Sequence, residues 1–291
     1  MNVARSAGDL EVVPRAVAIG TFDGVHLGHR AVIGSAIASG LRPTVVTFDP
    51  HPRTVLGREV ELLATLDRRL ELLEEAGVQD TFVVPFTVEI AALPADEFVR
   101  AMLLAIGAEV VAAGADFHFG HGRTGDLALL RSLGIETREV PIVDGISSTS
   151  IRELVHGGAV VEAAAMLGRP VEVEGLVVGG DHRGTGLGFP TANLEVDPQL
   201  LVPAHGIYAG AVGDRRAAIS IGVNPHYGGD TRRIEAFLLD WTGDLYGRRL
   251  VVEVWQRLRD ERAFASEAAL VAQIAQDVAD TRAAVRPLAP G

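Results

Sequence analysis

The chain has 291 residues, 48 % of them hydrophobic, which is enough to bury the cores of two domains of ordinary size. It contains no cysteine, so disulfide scaffolds, thiolate metal sites and thiol nucleophiles are excluded. The formal net charge of -12 argues against a nucleic-acid surface, because binding to a phosphate backbone needs a basic patch.

The first half of the chain alternates short apolar runs with helical patterns, which is typical of a parallel sheet covered by helices. The apolar runs predict strands over residues 16–20, 44–48, 81–84, 109–113 and 135–140. The helical patterns predict helices over residues 29–39, 67–75 and 95–104, the last opened by Pro94. We therefore expect a doubly wound, Rossmann-like α/β domain.

The pattern changes at Pro170, which follows a predicted helix over residues 151–167. Strands are then predicted without intervening helices, over residues 171–178, 206–212, 217–223, 234–239 and 250–258. A helix over residues 266–284, capped by Ser266, closes the chain. We expect residues 1–169 to form the first domain and residues 170–291 to form a small β-barrel.

The turn after the first predicted strand, GTFDGVHLGH at residues 20–29, runs directly into a helix. Backbone amides and the helix dipole make such a turn a binding site for phosphate. His26 and His29 are spaced so that both rings can face one side and donate hydrogen bonds to a triphosphate. An isolated histidine is more often structural, but this pair resembles the HxGH signature of the nucleotidylyltransferase superfamily.

Three further segments make the resemblance specific to one family. They are TFDPHPR at residues 47–53, GADFHFG at residues 114–120 and ISSTSIR at residues 146–152. Together they resemble the FMN adenylyltransferase module of the bacterial bifunctional riboflavin kinase/FAD synthetase family. The aromatic rings of the second segment suit an isoalloxazine ring, and the hydroxyl groups of the third suit a phosphate. Simpler interpretations stay open, namely a strand-ending turn, a hydrophobic loop plug and a plain helix cap.

The resemblance implies roles for individual residues. His26 and His29 would be the catalytic contacts to the ATP phosphates. The other ATP-binding residues of this adenylylation site would be Gly20, Phe22, Asp23, Gly28, Ser148, Thr149 and Arg152. FMN would contact Asp116, Phe117, Arg123 and Asp126. No general base is required, since the FMN phosphate is already ionised and Mg²⁺ can neutralise charge.

The second half carries GGDHRGTGLGFPTAN at residues 179–193, a glycine-rich arch that can follow phosphate oxygens but is a weak signal alone. The PTAN string resembles the riboflavin kinase signature, which implies that Thr191 and Asn193 hold Mg²⁺. The two residues lie two apart on an extended segment, so they point the same way. By the same resemblance, ATP at the kinase site would contact Gly180, Arg183, Gly184, Gly188 and Pro190.

Glu235 is the only acid in the apolar run 234–239 and is a candidate general base for the 5′-hydroxyl of riboflavin. An outward-facing strand glutamate is the simpler alternative. Arg259, in LRDERAF at residues 258–264, is expected to contact the flavin. Thr185, Ser220 and His226 depart from the family pattern, and they leave Thr191, Asn193 and Glu235 intact.

These observations predict an ATP-using enzyme with Mg²⁺ as cofactor and with riboflavin, FMN and FAD as substrates and products. One alternative is a nucleotidylyltransferase of another specificity fused to a flavin-binding barrel, and another is a flavin sensor with degenerate catalytic residues. The first fourteen residues lack the apolar core of a signal peptide, so we expect a cytoplasmic enzyme without membrane or nucleic-acid partners. The oligomeric state stays open.

Overall fold

The computed structural model describes residues 1–179, 189–224 and 231–287. Contacts divide the chain into two compact units, residues 1–148 and 149–291. The first contains a parallel sheet and the second a closed barrel, which confirms the predicted fold class. The helices that immediately precede Pro170 fall with the barrel by this division. A domain limit at Pro170 stays a prediction.

Residues 1–148 contain a six-stranded parallel sheet in the order β1-β4-β3-β2-β5-β6. Its strands are β1 Asn2–Ala4, β2 Arg15–Ile19, β3 Arg42–Asp49, β4 Asp80–Pro85, β5 Ala108–Gly114 and β6 Glu136–Val140. The strands predicted for this half are confirmed. Strand β1 was not predicted, because three residues are too few to show an alternating pattern and their pairing with β4 is distant in sequence.

Helices cover both faces of this sheet. They are α1 Leu27–Ile37, α2 Pro52–Val55, α3 Leu66–Glu75, α4 Val88–Ala91, α5 Ala95–Phe98 and α6 Leu127–Ser132. The helix predicted over 95–104 continues from α5 through a π turn, Val99–Leu103, and a 3-10 turn, Leu104–Ile106. It ends at Gly107, whose φ of 82° only glycine adopts easily.

The central strand β2 is buried on both faces. Ala16 and Ala18 lie in one core cluster with Ile33 of α1 and Leu72 of α3. Val17 and Ile19 lie in the other, with side chains of α5, α6 and the π turn. Because the chain leaves β2 toward β3 on one side and later returns to β5 on the other, a crevice opens at the carboxyl ends of β2 and β5.

The prediction of a single helix over residues 151–167 is wrong. Two helices occupy this stretch, α7 Ser148–His156 and α8 Val160–Leu167. The break falls at Gly157 and Gly158, and Gly158 has a φ of 75°. A Cβ atom on Gly158 would also lie 3.1 Å from the hydroxyl oxygen of Tyr208, so the chain needs glycine there.

The barrel of the second unit closes in the order β10-β11-β8-β7-β12-β9. Its strands are β7 Val171–Val178, β8 Ala192–Glu195, β9 Gly206–Val212, β10 Arg215–Asn224, β11 Thr231–Leu238 and β12 Arg249–Arg259. The closing helix α9, Glu267–Ala283, begins after Ser266, whose hydroxyl accepts a hydrogen bond from the Ala269 amide at 3.2 Å. The barrel and this cap are confirmed, and the short strand β8 was missed.

Candidate active sites

The turn after β2 contains several residues with left-handed backbone. Phe22 has a φ of 50°, Gly24 of 82° and Val25 of 40°. A β-branched residue such as Val25 is strained in this region, and such strain persists mainly where a site requires it. The Gly20 amide donates to the Val46 carbonyl at 3.1 Å, which ties the start of the turn to β3. The predicted phosphate turn therefore has a rigid, specialised backbone.

His26 and His29 stack on each other, with ring centroids 3.6 Å apart and planes 17° apart. Nδ1 of His26 accepts a hydrogen bond from the His29 amide at 3.3 Å and so caps α1. Because Nδ1 uses its lone pair in this cap, the His26 proton lies on Nε2. In this tautomer the N–H donor of the His26 ring is at Nε2.

His29 is neutral before a ligand binds. Burial, the neighbouring His26 ring and the positive charge of Arg69 all lower the pKa of His29 well below 6.5. Its Nδ1 atom is buried and has no hydrogen-bond partner within the described ranges. The edge of the ring contacts Phe22, with centroids 5.3 Å apart. The structure therefore brings the two predicted residues together, and their contact with the ATP phosphates stays a prediction.

Gly28 keeps space for the His26 ring. A Cβ atom at this position would lie 3.2 Å from Cε1 and 3.3 Å from Nδ1 of His26, which is tighter than an ordinary contact. The family resemblance implied that Gly28 contacts ATP, and that contact stays a prediction. Its nearest neighbour in the structure is the catalytic candidate itself.

Asp23 is buried within the turn and holds the loop that precedes α3. Its Oδ1 atom accepts hydrogen bonds from the Leu63 and Ala64 amides at 2.9 and 3.3 Å. Its backbone carbonyl accepts a hydrogen bond from the Ser148 hydroxyl at 3.1 Å. Ser148 thus reaches the turn, whereas Thr149 and Arg152 follow in α7 as part of the second unit. Their contact with a triphosphate stays a prediction.

The predicted flavin loop follows β5, the neighbour of β2. Phe117 stacks on Phe119 with centroids 5.4 Å apart, and Phe119 packs against Phe98 at 5.6 Å. Phe119 and Gly125 exchange backbone hydrogen bonds of 3.0 and 2.9 Å, which close the loop. The half-buried Phe117 therefore offers an aromatic surface on a loop that opens from the β5 side of the crevice.

The charged residues of this loop are exposed. Asp126 caps α6, since its Oδ1 accepts a hydrogen bond from the Leu129 amide at 2.9 Å. Arg123 has a φ of 59°, and Asp116 accepts a hydrogen bond from the His118 ring at its backbone carbonyl, 2.9 Å away. The structure places all three on the Phe117 loop, and their contact with a flavin stays a prediction.

The barrel unit has a cavity of about 190 Å³ that is lined by Thr191, Asn193 and Glu235. Glu235 lies opposite Asn193 in the β8–β11 register and opposite Ser220 in the β10–β11 register. Thr191 and Asn193 are partly exposed, whereas the alternate residues Ala192 and Leu194 are buried. The prediction that Thr191 and Asn193 point the same way is confirmed. Together with the pairing of β8 and β11, this direction brings the oxygen-bearing side chains of Thr191, Asn193 and Glu235 to one cavity.

The cavity suits a hard cation such as Mg²⁺. A hydroxyl, an amide oxygen and a carboxylate are oxygen ligands, and Mg²⁺ typically completes its shell with substrate phosphates and water. In the part of the chain that the structure describes, no cluster of His, Asp and Glu forms a metal cage by itself. Glu235 is about one-fifth exposed and forms a close ion pair with Arg233, which orients its carboxylate.

Other predicted kinase residues have separate outcomes. Pro190 lines the cavity, together with Trp241 and Tyr246, which were not predicted. The remaining predictions, Gly180, Arg183, Gly184 and Gly188, lie outside the described residues, as do Thr185 and His226.

Arg259 is engaged in a structural ion pair. Its Nε and Nη2 atoms donate to the two carboxylate oxygens of Asp277 at 2.9 and 2.7 Å, and Asp277 is buried. Its guanidinium also lies 5.8 Å from the centre of the Phe264 ring. These contacts join β12 to α9. Contact between Arg259 and a flavin stays a prediction.

Comparison with known proteins assigns both units. The family model for FAD synthetase matches residues 11–152, and the model for riboflavin kinase matches residues 167–285. A bifunctional riboflavin kinase/FMN adenylyltransferase from Listeria monocytogenes is 38 % identical over 290 residues, covering 93 % of this chain and 92 % of the relative. The chain belongs to the bifunctional riboflavin kinase/FMN adenylyltransferase family.

Further relatives agree with this assignment. The Escherichia coli protein of the same description is 35 % identical over 300 residues, covering 95 % of this chain and 96 % of the relative. A solved structure described as a macrolide-efflux protein from Streptococcus pneumoniae has a TM-score of 0.87 and 31 % identity, covering 96 % and 98 % of the two chains. The two chains therefore share a fold. Among the described residues, no helix is long and apolar enough to cross a bilayer.

Membership of the riboflavin kinase/FMN adenylyltransferase family confirms the resemblance drawn from the motifs. The FAD synthetase match includes the turn over residues 20–29, called the histidine turn below, and the Phe117 loop over residues 115–125. The riboflavin kinase match includes the residues that line the cavity. One charged residue of the first site was missed, namely Arg69 of α3. The sequence did indicate that Arg69 is buried, because it lies three residues before Leu72 and four before Leu73, on the apolar side of an amphipathic helix.

Proposed function

We propose that the chain phosphorylates riboflavin to FMN in its barrel and transfers AMP from ATP to FMN in its sheet domain. The observation that carries this proposal is the presence of two separate constellations, each inside the family model that fits it. The stacked His26 and His29 support the second activity. The cavity shared by Thr191, Asn193 and Glu235 supports the first.

In the adenylylation step, a phosphate oxygen of FMN attacks the α-phosphorus of ATP. The bond to the β-phosphate breaks, and its electron pair leaves with pyrophosphate. No proton has to be removed from the nucleophile, since the FMN phosphate is already ionised. His26, through its Nε2–H, and His29 would donate hydrogen bonds to the charge that builds up on the phosphates. Gly20, Phe22, Gly28 and Asp23 would hold the turn in shape, and Phe117 would stack on the flavin.

In the kinase step, the 5′-hydroxyl oxygen of riboflavin attacks the γ-phosphorus of ATP, and ADP leaves. Glu235 would accept the hydroxyl proton, and Arg233 would keep its carboxylate directed into the cavity. Thr191 and Asn193 would hold Mg²⁺, which when bound neutralises charge on the ATP phosphates. Since both reactions consume ATP, we place the enzyme in the cytoplasm.

One incubation tests the proposal. Pure protein is supplied with riboflavin, ATP and Mg²⁺, and FMN and FAD are resolved over time. We expect FMN to appear first and FAD to follow. If no FMN forms from riboflavin but a parallel incubation with FMN in place of riboflavin yields FAD, the proposal is restricted to the sheet domain. Formation of neither product by folded protein would contradict it.

A further inference from the structure

Arg69 is a buried arginine that lies against the histidine turn. It belongs to α3 and is only 4 % exposed, although arginine is rarely buried unless it is paired. Its Nη1 atom donates to the Thr21 carbonyl at 2.9 Å, and its Nη2 atom donates to the Phe48 carbonyl at 3.1 Å. Arg69 therefore joins the turn after β2 to the end of β3.

The surroundings of Arg69 differ from those of Arg15, the other buried arginine in this domain. Arg15 forms a close ion pair with Asp80, which is fully buried, and its remaining nitrogens donate to other oxygens. Arg69 has a longer ion pair, 3.9 Å from Asp49, whose side chain is 39 % exposed. Its Nε atom is buried without a hydrogen-bond partner in the described ranges. The positive charge of Arg69 is thus only partly compensated.

An incompletely compensated buried cation is costly by itself. Burial lowers the pKa of Arg69, and the opposing effects of Asp23 and Asp49 are smaller. The anion that the neighbouring turn is suited to bind would offset this cost. Arg69 also reaches His29 electrostatically, since its charge is one of the causes that keep His29 neutral.

We propose that Arg69 is a positioning residue for adenylyl transfer. It fixes the carbonyls of Thr21 and Phe48, and with them the backbone that carries the two histidines. It also supplies a permanent positive charge next to the triphosphate site without touching the substrate. This inference rests on the proposed adenylyltransferase activity.

Arg69 donates from its two terminal nitrogens to the carbonyls of Thr21 and Phe48, and we call this arrangement the carbonyl clamp. The clamp requires the planar fork of a guanidinium, which lysine cannot reproduce. Misplacing reacting groups by about 1 Å can cost about 100-fold in rate. We therefore expect Arg69→Met to lower kcat for FAD formation from added FMN by about 100-fold. We expect Arg69→Lys, which keeps the charge, to lose about tenfold. FMN formation by the barrel, measured in the same samples, should stay within threefold of the wild type.

Arg68→Met is the matched control, because Arg68 is adjacent in α3 but pairs with Glu71 and Glu75 of the same helix. It should stay within threefold of the wild type in both activities. A readout that separates positioning from mere stability is the titration of His29 followed by NMR. The pKa of His29 should rise in Arg69→Met and stay low in Arg69→Lys, whatever the change in unfolding temperature.

Wild-type kcat in folded Arg69→Met, or an unchanged His29 titration, would overturn the inference. If Arg69→Met does not fold, Arg69→Lys decides, and wild-type kcat in that variant overturns the clamp. Failure of the wild-type protein itself to form FAD from FMN would instead reject the adenylyltransferase assignment.

Discussion

Replacing His29 with alanine tests the adenylylation site most directly. The substitution removes a ring that stacks on His26 at 3.6 Å and contacts Phe22 by its edge. The substitution retains the backbone amide at position 29, which donates a hydrogen bond to Nδ1 of His26 and lets that ring cap α1. We therefore expect the turn to keep its backbone and to lose one hydrogen-bond donor to the transferring phosphate.

The magnitude follows from the role of that donor. Removing one preorganised donor to a developing negative charge costs about 100- to 1000-fold in kcat, which is about 2.7 to 4 kcal/mol. His29→Asn restores an N–H group in a smaller side chain, so its kcat should lie between those of the wild type and His29→Ala. The KM for FMN should change little, because the donor acts mainly in the transition state.

The assay measures FAD formed from added FMN and ATP, with FMN formation from riboflavin as the internal control. The histidine turn belongs to residues 1–148 and the kinase cavity to the other unit, so only the first activity should fall. An equal loss of both activities in folded protein would refute the assignment of sites to units. Wild-type FAD formation in His29→Ala would refute the role of His29.

Three further predictions concern the kinase site, the domain limit and the effect of pH. Glu235→Gln should lower kcat for FMN formation by about 100- to 10,000-fold with binding nearly unchanged, and near wild-type kcat would make Glu235 a structural strand residue. A fragment of residues 170–291 should fold and phosphorylate riboflavin. A longer fragment of residues 149–291 should melt at a higher temperature than the shorter one, because it keeps α8 packed against β7 and β12 and keeps the hydrogen bond of 3.3 Å from the Ala204 amide to the Val155 carbonyl. Equal melting temperatures would show that α7 and α8 contribute nothing to the barrel. Because the pKa of His29 is lowered below 6.5 on folding, the unfolded chain binds more protons below that pH, so the sheet domain should lose stability as the pH falls from 7 through 6.5. Calorimetry should show a weaker pH dependence in His29→Ala, and an unchanged dependence would mean that His29 is not buried as a neutral ring.

Several features follow from the sequence alone because they depend on local patterns. The strand-turn-helix order around residues 20–29 follows from an apolar run, glycines and a helical pattern within a short stretch. The common direction of Thr191 and Asn193 follows from the two-residue period of an extended chain. The caps at Ser266 and Asp126 are short-range contacts as well, although Asp126 was assigned only to flavin binding.

The tertiary structure decided what depends on residues distant in sequence. Only the β10–β11 and β8–β11 pairings place Glu235 between Ser220 and Asn193. The motif predicted a flavin contact for Arg259, and only the structure shows that Arg259 also pairs with Asp277 in α9, a helix that local periodicity does not link to β12.

The environment of the two histidines was likewise beyond the reach of the sequence. Spacing along the helix indicated that both rings can share one side, but not that they stack, nor that burial keeps His29 neutral. Arg69 stands forty residues after His29 in the chain, and its charge reaches the turn only because α3 packs on the same face of the sheet as α1. Local periodicity determines which side of a helix is buried, whereas the fold determines which groups meet there, and the chemistry of this site depends on that meeting.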